Sequence, residues 1–114
     1  MALTIKQGDA YSIPVSATLN GSALNLADVL MIEFTFGDGN GTIYTRKLYP
    51  DVVTTQTIDG SLFLMVPLTQ EETFAFPIGA VGLDERVYFV GGDVKGVAKP
   101  QWITVVDAFS EEVL

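Results

Sequence analysis

Acidic side chains stand next to one another at three places in the chain: Glu71 with Glu72, Asp84 with Glu85, and Glu111 with Glu112. Paired carboxylates perform general acid and base work, above all in glycoside hydrolysis, where both groups must converge on one bond at a separation of about 5 to 10 Å. Neighbours in a strand point to opposite faces, so adjacency does not create that convergence, and solvated charge accounts for the pairs. Asp38, Asn40 and Thr42 have the one-three-five spacing of a calcium loop. Such a loop needs glycine at its sixth position and glutamate at its twelfth, where this chain has Ile43 and Tyr49, so a plain turn is expected. The chain has no Cys and no His. Thiolate nucleophiles, imidazole bases, Cys or His zinc sites and disulfides are thereby excluded. No catalytic residue, cofactor or metal is expected, and the reading is of a protein that is not an enzyme. One further pattern has a chemistry of its own: Tyr11, Tyr44, Tyr49, Tyr88 and Trp102 could form an aromatic strip that stacks on sugar rings. A large aromatic in a strand is also ordinary filler of a core.

The elements that must position these residues read as strands and turns. Tyr11, Ile13, Val15 and Ala17 alternate with Ser12, Pro14, Ser16 and Thr18, a period of two, and Pro14 marks an edge strand or a bulge. Asn20-Gly21 and Asp59-Gly60 supply the positive φ angles of type I′ turns. The second sets a register that pairs Thr57 with Leu62 and Thr55 with Leu64, with Leu62, Leu64 and Val66 facing inward. Val29 to Phe36 is the central strand, with Leu30, Ile32, Phe34 and Phe36 on one face. Three glycines in Gly37-Asp38-Gly39-Asn40-Gly41 return the chain to Thr42 through Leu48. Thr69-Gln70-Glu71-Glu72 spells a capping box, and Pro77 and Gly79 stop the helical turn it starts. Arg86 to Val90, a turn at Gly91-Gly92-Asp93, and a closing strand over Gln101 to Asp107 follow, and the tail from Ala108 to Leu114 is expected to fray. Seven or eight short antiparallel strands and one helical turn predict an all-β sandwich in a single domain, 1–114.

Composition agrees with that class. The 114 residues are 48% hydrophobic and 18% charged, enough apolar surface to offset the entropy of ordering one core. Fourteen acids against six bases give a net charge of -8, which repels nucleic acid and anionic membranes. Met1 to Gln7 lacks the layout of a secretory leader. Pro14 and Gly21 interrupt the long uncharged run from Ala10 to Ala27, which also rules it out as a membrane span.

The order of features resembles a family of small phage and prophage structural domains, exemplified by the N-terminal domain of phage baseplate upper proteins. Lys6-Gln7-Gly8-Asp9 before the alternating strand is similar to the family's opening element. Leu26-Ala27-Asp28 before the apolar strand and Leu68-Thr69-Gln70-Glu71-Glu72-Thr73 at the helical turn also match, as does a closing hairpin of Arg86 to Val90 with Trp102 to Val106. The segment Gly79 to Arg86 departs from the tyrosine-rich stretch usual there. The resemblance implies an immunoglobulin-like β-sandwich and a non-enzymatic virion structural protein of tail, baseplate or neck. It would meet phage structural proteins or copies of itself, in the host cytoplasm during assembly and then in the virion. The uncharged stretch from Thr73 to Leu83 is the expected contact surface, with Phe74, Phe76, Pro77, Ile78 and Val81 as its residues; the competing reading has Phe74 and Phe76 plug the end of the sandwich. The alternative function is a small carbohydrate-binding module.

Overall fold

A computed structural model describes residues 3–114; Met1 and Ala2, which begin the segment read for a leader, lie outside the described residues. Among the described residues, eight strands of four residues or more form two facing sheets. They are β1 (Leu3–Lys6), β2 (Tyr11–Ser16), β5 (Val29–Gly37), β6 (Ile43–Tyr49), β7 (Thr54–Ile58), β8 (Ser61–Leu68), β9 (Gly79–Phe89) and β11 (Gln101–Val106). Three shorter pieces complete the numbering: β3 (Thr18–Leu19) and β4 (Ser22–Ala23), the arms of the Asn20-Gly21 turn, and β10 (Val94–Gly96). One sheet runs β1-β11-β9-β5-β6, and the other runs β2-β8-β7. In immunoglobulin lettering these are G-F-C-C′ and B-E-D, with β1 laid parallel on the last strand, so the expected immunoglobulin-like sandwich is the fold.

Local chemistry explains most of these elements. Asn20 and Asp59 take φ of 50° and 51° and are each followed by glycine with φ above 80°, as type I′ turns require. The Asp59-Gly60 hairpin has the expected register, Thr57 opposite Leu62 and Thr55 opposite Leu64. Leu64 and Val66 are fully buried, whereas Leu62 at the hairpin end is exposed. Pro14 lies in β2, an edge strand of the smaller sheet, where its missing N–H costs no ladder bond on the open side. The inner faces of the two sheets meet through Ile32, Phe34, Phe36, Val81, Leu83, Val87, Ile103 and Val105 on one side and Ile13, Val15, Leu64, Val66 and Leu68 on the other.

Two expectations about strands are corrected. Leu30 is 52% exposed and Val29 is buried, because the ladder slips between Val29 and Met31 and one extra residue reverses the alternation before Ile32 restores it. The expected closing hairpin is wider than a simple pair. β9 begins at Gly79, its first half pairs with β11 (Leu83 opposite Gln101), and its second half pairs with β10 (Arg86 opposite Gly96). Residues 97–100 loop out between those two partners, opposite Asp84 and Glu85.

The capping box closes one end. Thr69 accepts from the Glu72 amide at 3.2 Å, and Glu72 accepts from the Thr69 amide at 2.9 Å, opening a one-turn helix α1 (Gln70–Ala75). Lys6 to Asp9 forms a turn that docks on this helix. Gly8 donates to Thr73 Oγ1 at 2.9 Å, the same hydroxyl donates to the Asp9 carbonyl at 2.8 Å, and Gln70 donates to the Gly8 carbonyl at 3.1 Å. Gly8 has φ of +88°, and a Cβ there would lie 2.6 Å from the Phe74 ring, so only glycine fits.

Candidate binding site

Strand alternation decides where each candidate residue faces. In β9 the inner face carries Val81, Leu83, Glu85 and Val87, while Asp84, Arg86 and Tyr88 face outward. Asp84 and Glu85 therefore open on opposite sides of the sheet, as adjacency requires, and cannot converge on one bond. Glu72 is committed to the helix cap, to Thr45 at 2.8 Å and to Lys47 at 2.7 Å, with Glu71 exposed beside it. Glu111 and Glu112 are exposed in the tail after β11. Asp38 spends its Oδ1 on its own loop, accepting from the Asn40 amide at 2.7 Å and the Thr42 amide at 3.0 Å. Those bonds hold its carboxyl below the ordinary carboxylate range and explain the one-three-five spacing as an Asx turn. Among the described residues no three Asp, Glu, His or Cys side chains gather as a metal-holding group.

The expected contact surface over Thr73 to Leu83 is split by the fold. Phe76 is 1% exposed and Val81 is fully buried, which corrects both as contact residues. The physical reason is that the chain leaves α1 at Phe76 in an extended conformation and turns that ring into the core. There it packs on Phe36 and Tyr44 at ring-centre distances of 5.8 Å each. Phe74 is half-buried over Gly8. Pro77 and Ile78 alone of the five stand exposed, Ile78 at 60%.

The aromatic residues are likewise divided. Tyr11, Tyr44 and Tyr49 are half-buried against the core. Tyr88 and Trp102 lie on the outer face of the larger sheet, and Trp102 is 51% exposed. Trp102 stands directly across from Gly82 in the β11–β9 ladder. Its six-membered ring passes so close to the backbone that a Cβ at Gly82 would lie 3.2 Å from it, and one at Gly39 would lie 3.3 Å from it. Glycine at both positions lets the indole rest on the sheet and on the 37–41 loop. Beside the ring opens a cleft of about 380 Å³, bordered by Asp84, Thr35, Thr42, Ile43 and Pro100. The outer face continues past it as an ion-pair cluster, in which Glu33 holds Arg46 at 3.1 Å and Arg86 at 2.9 Å.

No family model matches the chain, and no curated protein matches it. Among solved structures, the chain is similar to CopC from Methylosinus trichosporium OB3b, at 11% identity and a TM-score of 0.42, over 90% of this chain and 98% of that one. At that level the likeness carries no argument about what this chain binds. The expected role as a phage or prophage virion structural protein is corrected: none of these comparisons supplies a phage relative.

Sequence reasoning placed Trp102 in the closing strand and named it for a sugar platform. It missed Gly82, Gly39 and Asp84 as that ring's surroundings, since the rest of β9, β10 and the loop of residues 97–100 lie between Gly82 and Trp102 in the chain. It also passed over Glu85 as a buried group, although Val81, Leu83 and Val87 at alternate positions mark the inner face on which it falls.

Proposed function

We propose that this protein is a non-catalytic binding domain that takes a saccharide ring against Trp102 on the outer face of its larger sheet. The observation that carries the reading is the half-exposed indole, held on two glycines beside a cleft bordered by Asp84, Thr35 and Thr42. An indole face packs on the C–H face of a sugar, while carboxylate and hydroxyl oxygens accept or exchange bonds with ring hydroxyls. The rigid strand and the loop glycines fix the ring before the ligand arrives, which lowers the ordering cost of binding. The separation of the carboxylate pairs supports binding rather than bond cleavage, since Asp84 alone of its pair reaches the cleft.

Calorimetric titration across a panel of neutral oligosaccharides tests the reading. The expected result is measurable binding to at least one glycan that Trp102→Ala weakens tenfold or more and Asp84→Asn weakens several-fold, with folding retained in both. Flat isotherms across the panel, or binding that survives loss of the indole, overturn it.

A further inference from the structure

On the opposite side of the same strand, Glu85 borders a second cavity, of about 420 Å³, between the edge strand β2 and residues 97–101. The residue is 6% exposed, and among the described residues its Oε1 has no hydrogen-bond partner. Ser16, Thr18, Lys99 and Gln101 border the cavity, and Val15 and Val97 supply its apolar wall. The roof is held in place by bonds that do not involve the carboxyl. The Val97 amide donates to the Glu85 backbone carbonyl at 3.0 Å, and the Ala98 amide donates to Asn20 Oδ1 at 2.8 Å. The opening exists because β9 changes partner here, from β11 at Leu83 to β10 at Arg86, leaving Glu85 under the loop that joins them.

We propose that this cavity is a binding site for a small ligand bearing a primary ammonium group, with the Glu85 carboxylate as its counter-ion. A buried carboxylate without a partner is costly, and a charged donor relieves more of that cost than a neutral one. An ammonium has three donors; the carboxylate takes up part of that capacity, and water and the polar residues bordering the cavity take up the rest. The alternatives fit less well. A metal ion would find one carboxylate here rather than a ligand cluster, and an anion would face Glu85 itself. The protein's net charge of -8 draws cations toward it. Lys99 is the basic side chain on the rim, and among the described residues no ion pair joins it to Glu85. It acts as a local competitor of the incoming ammonium. Burial, with a smaller contribution from neighbouring Asp84, pushes the Glu85 carboxyl up to about 7, so the carboxylate form prevails at pH 8.

The test is an NMR titration of the full chain with n-butylammonium chloride at pH 8, with n-butanol and sodium chloride as controls. Saturable shifts are expected at the Val97, Ala98 and Ser16 amides and at the Glu85 carboxyl carbon, and neither control should reproduce them. Glu85→Gln should weaken the interaction tenfold or more, Lys99→Ala should strengthen it, and Trp102→Ala should leave it unchanged, which separates this site from the saccharide cleft. Equal shifts with n-butanol or sodium chloride, an unmoved Glu85 carboxyl carbon in the unsubstituted protein, or weakening by Lys99→Ala overturns the proposal. The carboxyl-carbon signal needs no variant, so the result stands even where Glu85→Gln fails to fold.

Discussion

The helical corner and the flank beneath residues 97–100 each draw one carboxylate off the surface, and they treat it in opposite ways. At the corner, Glu72 receives the Thr69 amide, the Thr45 hydroxyl and the Lys47 ammonium, all within 2.9 Å. At the flank, Glu85 is more deeply buried and leaves an oxygen without a partner. Partial burial pushes Glu72 up, but its bonds to Lys47, Thr69 and Thr45 outweigh that and hold it at about 2; at Glu85 burial acts unopposed and the value rises to about 7. The contrast separates structure from readiness. A region whose polar groups answer one another is finished as a fold, whereas the flank leaves a buried oxygen unanswered beside a cavity.

The sharpest way to break this comparison is to remove the apolar anchor of the corner. Phe76 is fully enclosed with Phe36 and Tyr44 and ties α1 to the core. Phe76→Ala should cost about 3 to 5 kcal/mol in denaturant unfolding, with no change in oligomeric mass. A loss below about 1 kcal/mol would mean that the corner is not the closed end described here.

A smaller effect, of opposite sign, is expected at the flank. Because folding raises the Glu85 carboxyl from its ordinary value near 4.5 to about 7, the neutral form is the one the fold prefers. Its contribution is fully present below pH 4.5 and is lost as pH rises through 7. Water reaching the cavity screens the cost, which leaves a difference on the order of 2 kcal/mol. Glu85→Gln should therefore stabilise the protein by about 2 kcal/mol at pH 8 and have little effect at pH 4. Equal stability of variant and unsubstituted protein at both pH values would show that the carboxylate already has a partner.

These two regions were unequally legible in the amino-acid sequence, and the reason is separation along the chain. The corner is written locally, since Thr69 and Glu72 are three residues apart; elsewhere the turns at Asn20-Gly21 and Asp59-Gly60 likewise carry their φ requirements in themselves. The flank depends on pairings that no short window contains, namely β11 on the first half of β9 and β10 on the second. Gly79 and Gly82 made the first half of β9 look like loop, since glycine weakens a strand, and only Trp102 lying across Gly82 shows what compensates. Leu30 misled for a related reason, because a bulge has no fixed residue signature and its single extra residue reverses which side chains face in. Trp102 was visible as an aromatic in a strand, but its exposure is decided by where β9 and the 37–41 loop sit.

The smallest expected effect sharpens the comparison from the corner side. Folding lowers the Glu72 carboxyl to about 2, so its contribution is present above the ordinary value near 4.5 and is lost as pH falls through 2. Glu72 is partly open to water, which screens its ion pair with Lys47, so Glu72→Gln should destabilise by about 1 kcal/mol at pH 7. The loss should shrink toward zero below pH 2, where the natural carboxyl is itself neutral. Glu72→Gln and Glu85→Gln thus make one pair of chemically identical substitutions with opposite signs at neutral pH. Stability curves from pH 2 to pH 9 for both variants read that opposition directly, and curves of the same sign would show that partnering, rather than burial alone, had been misassigned between the two carboxylates.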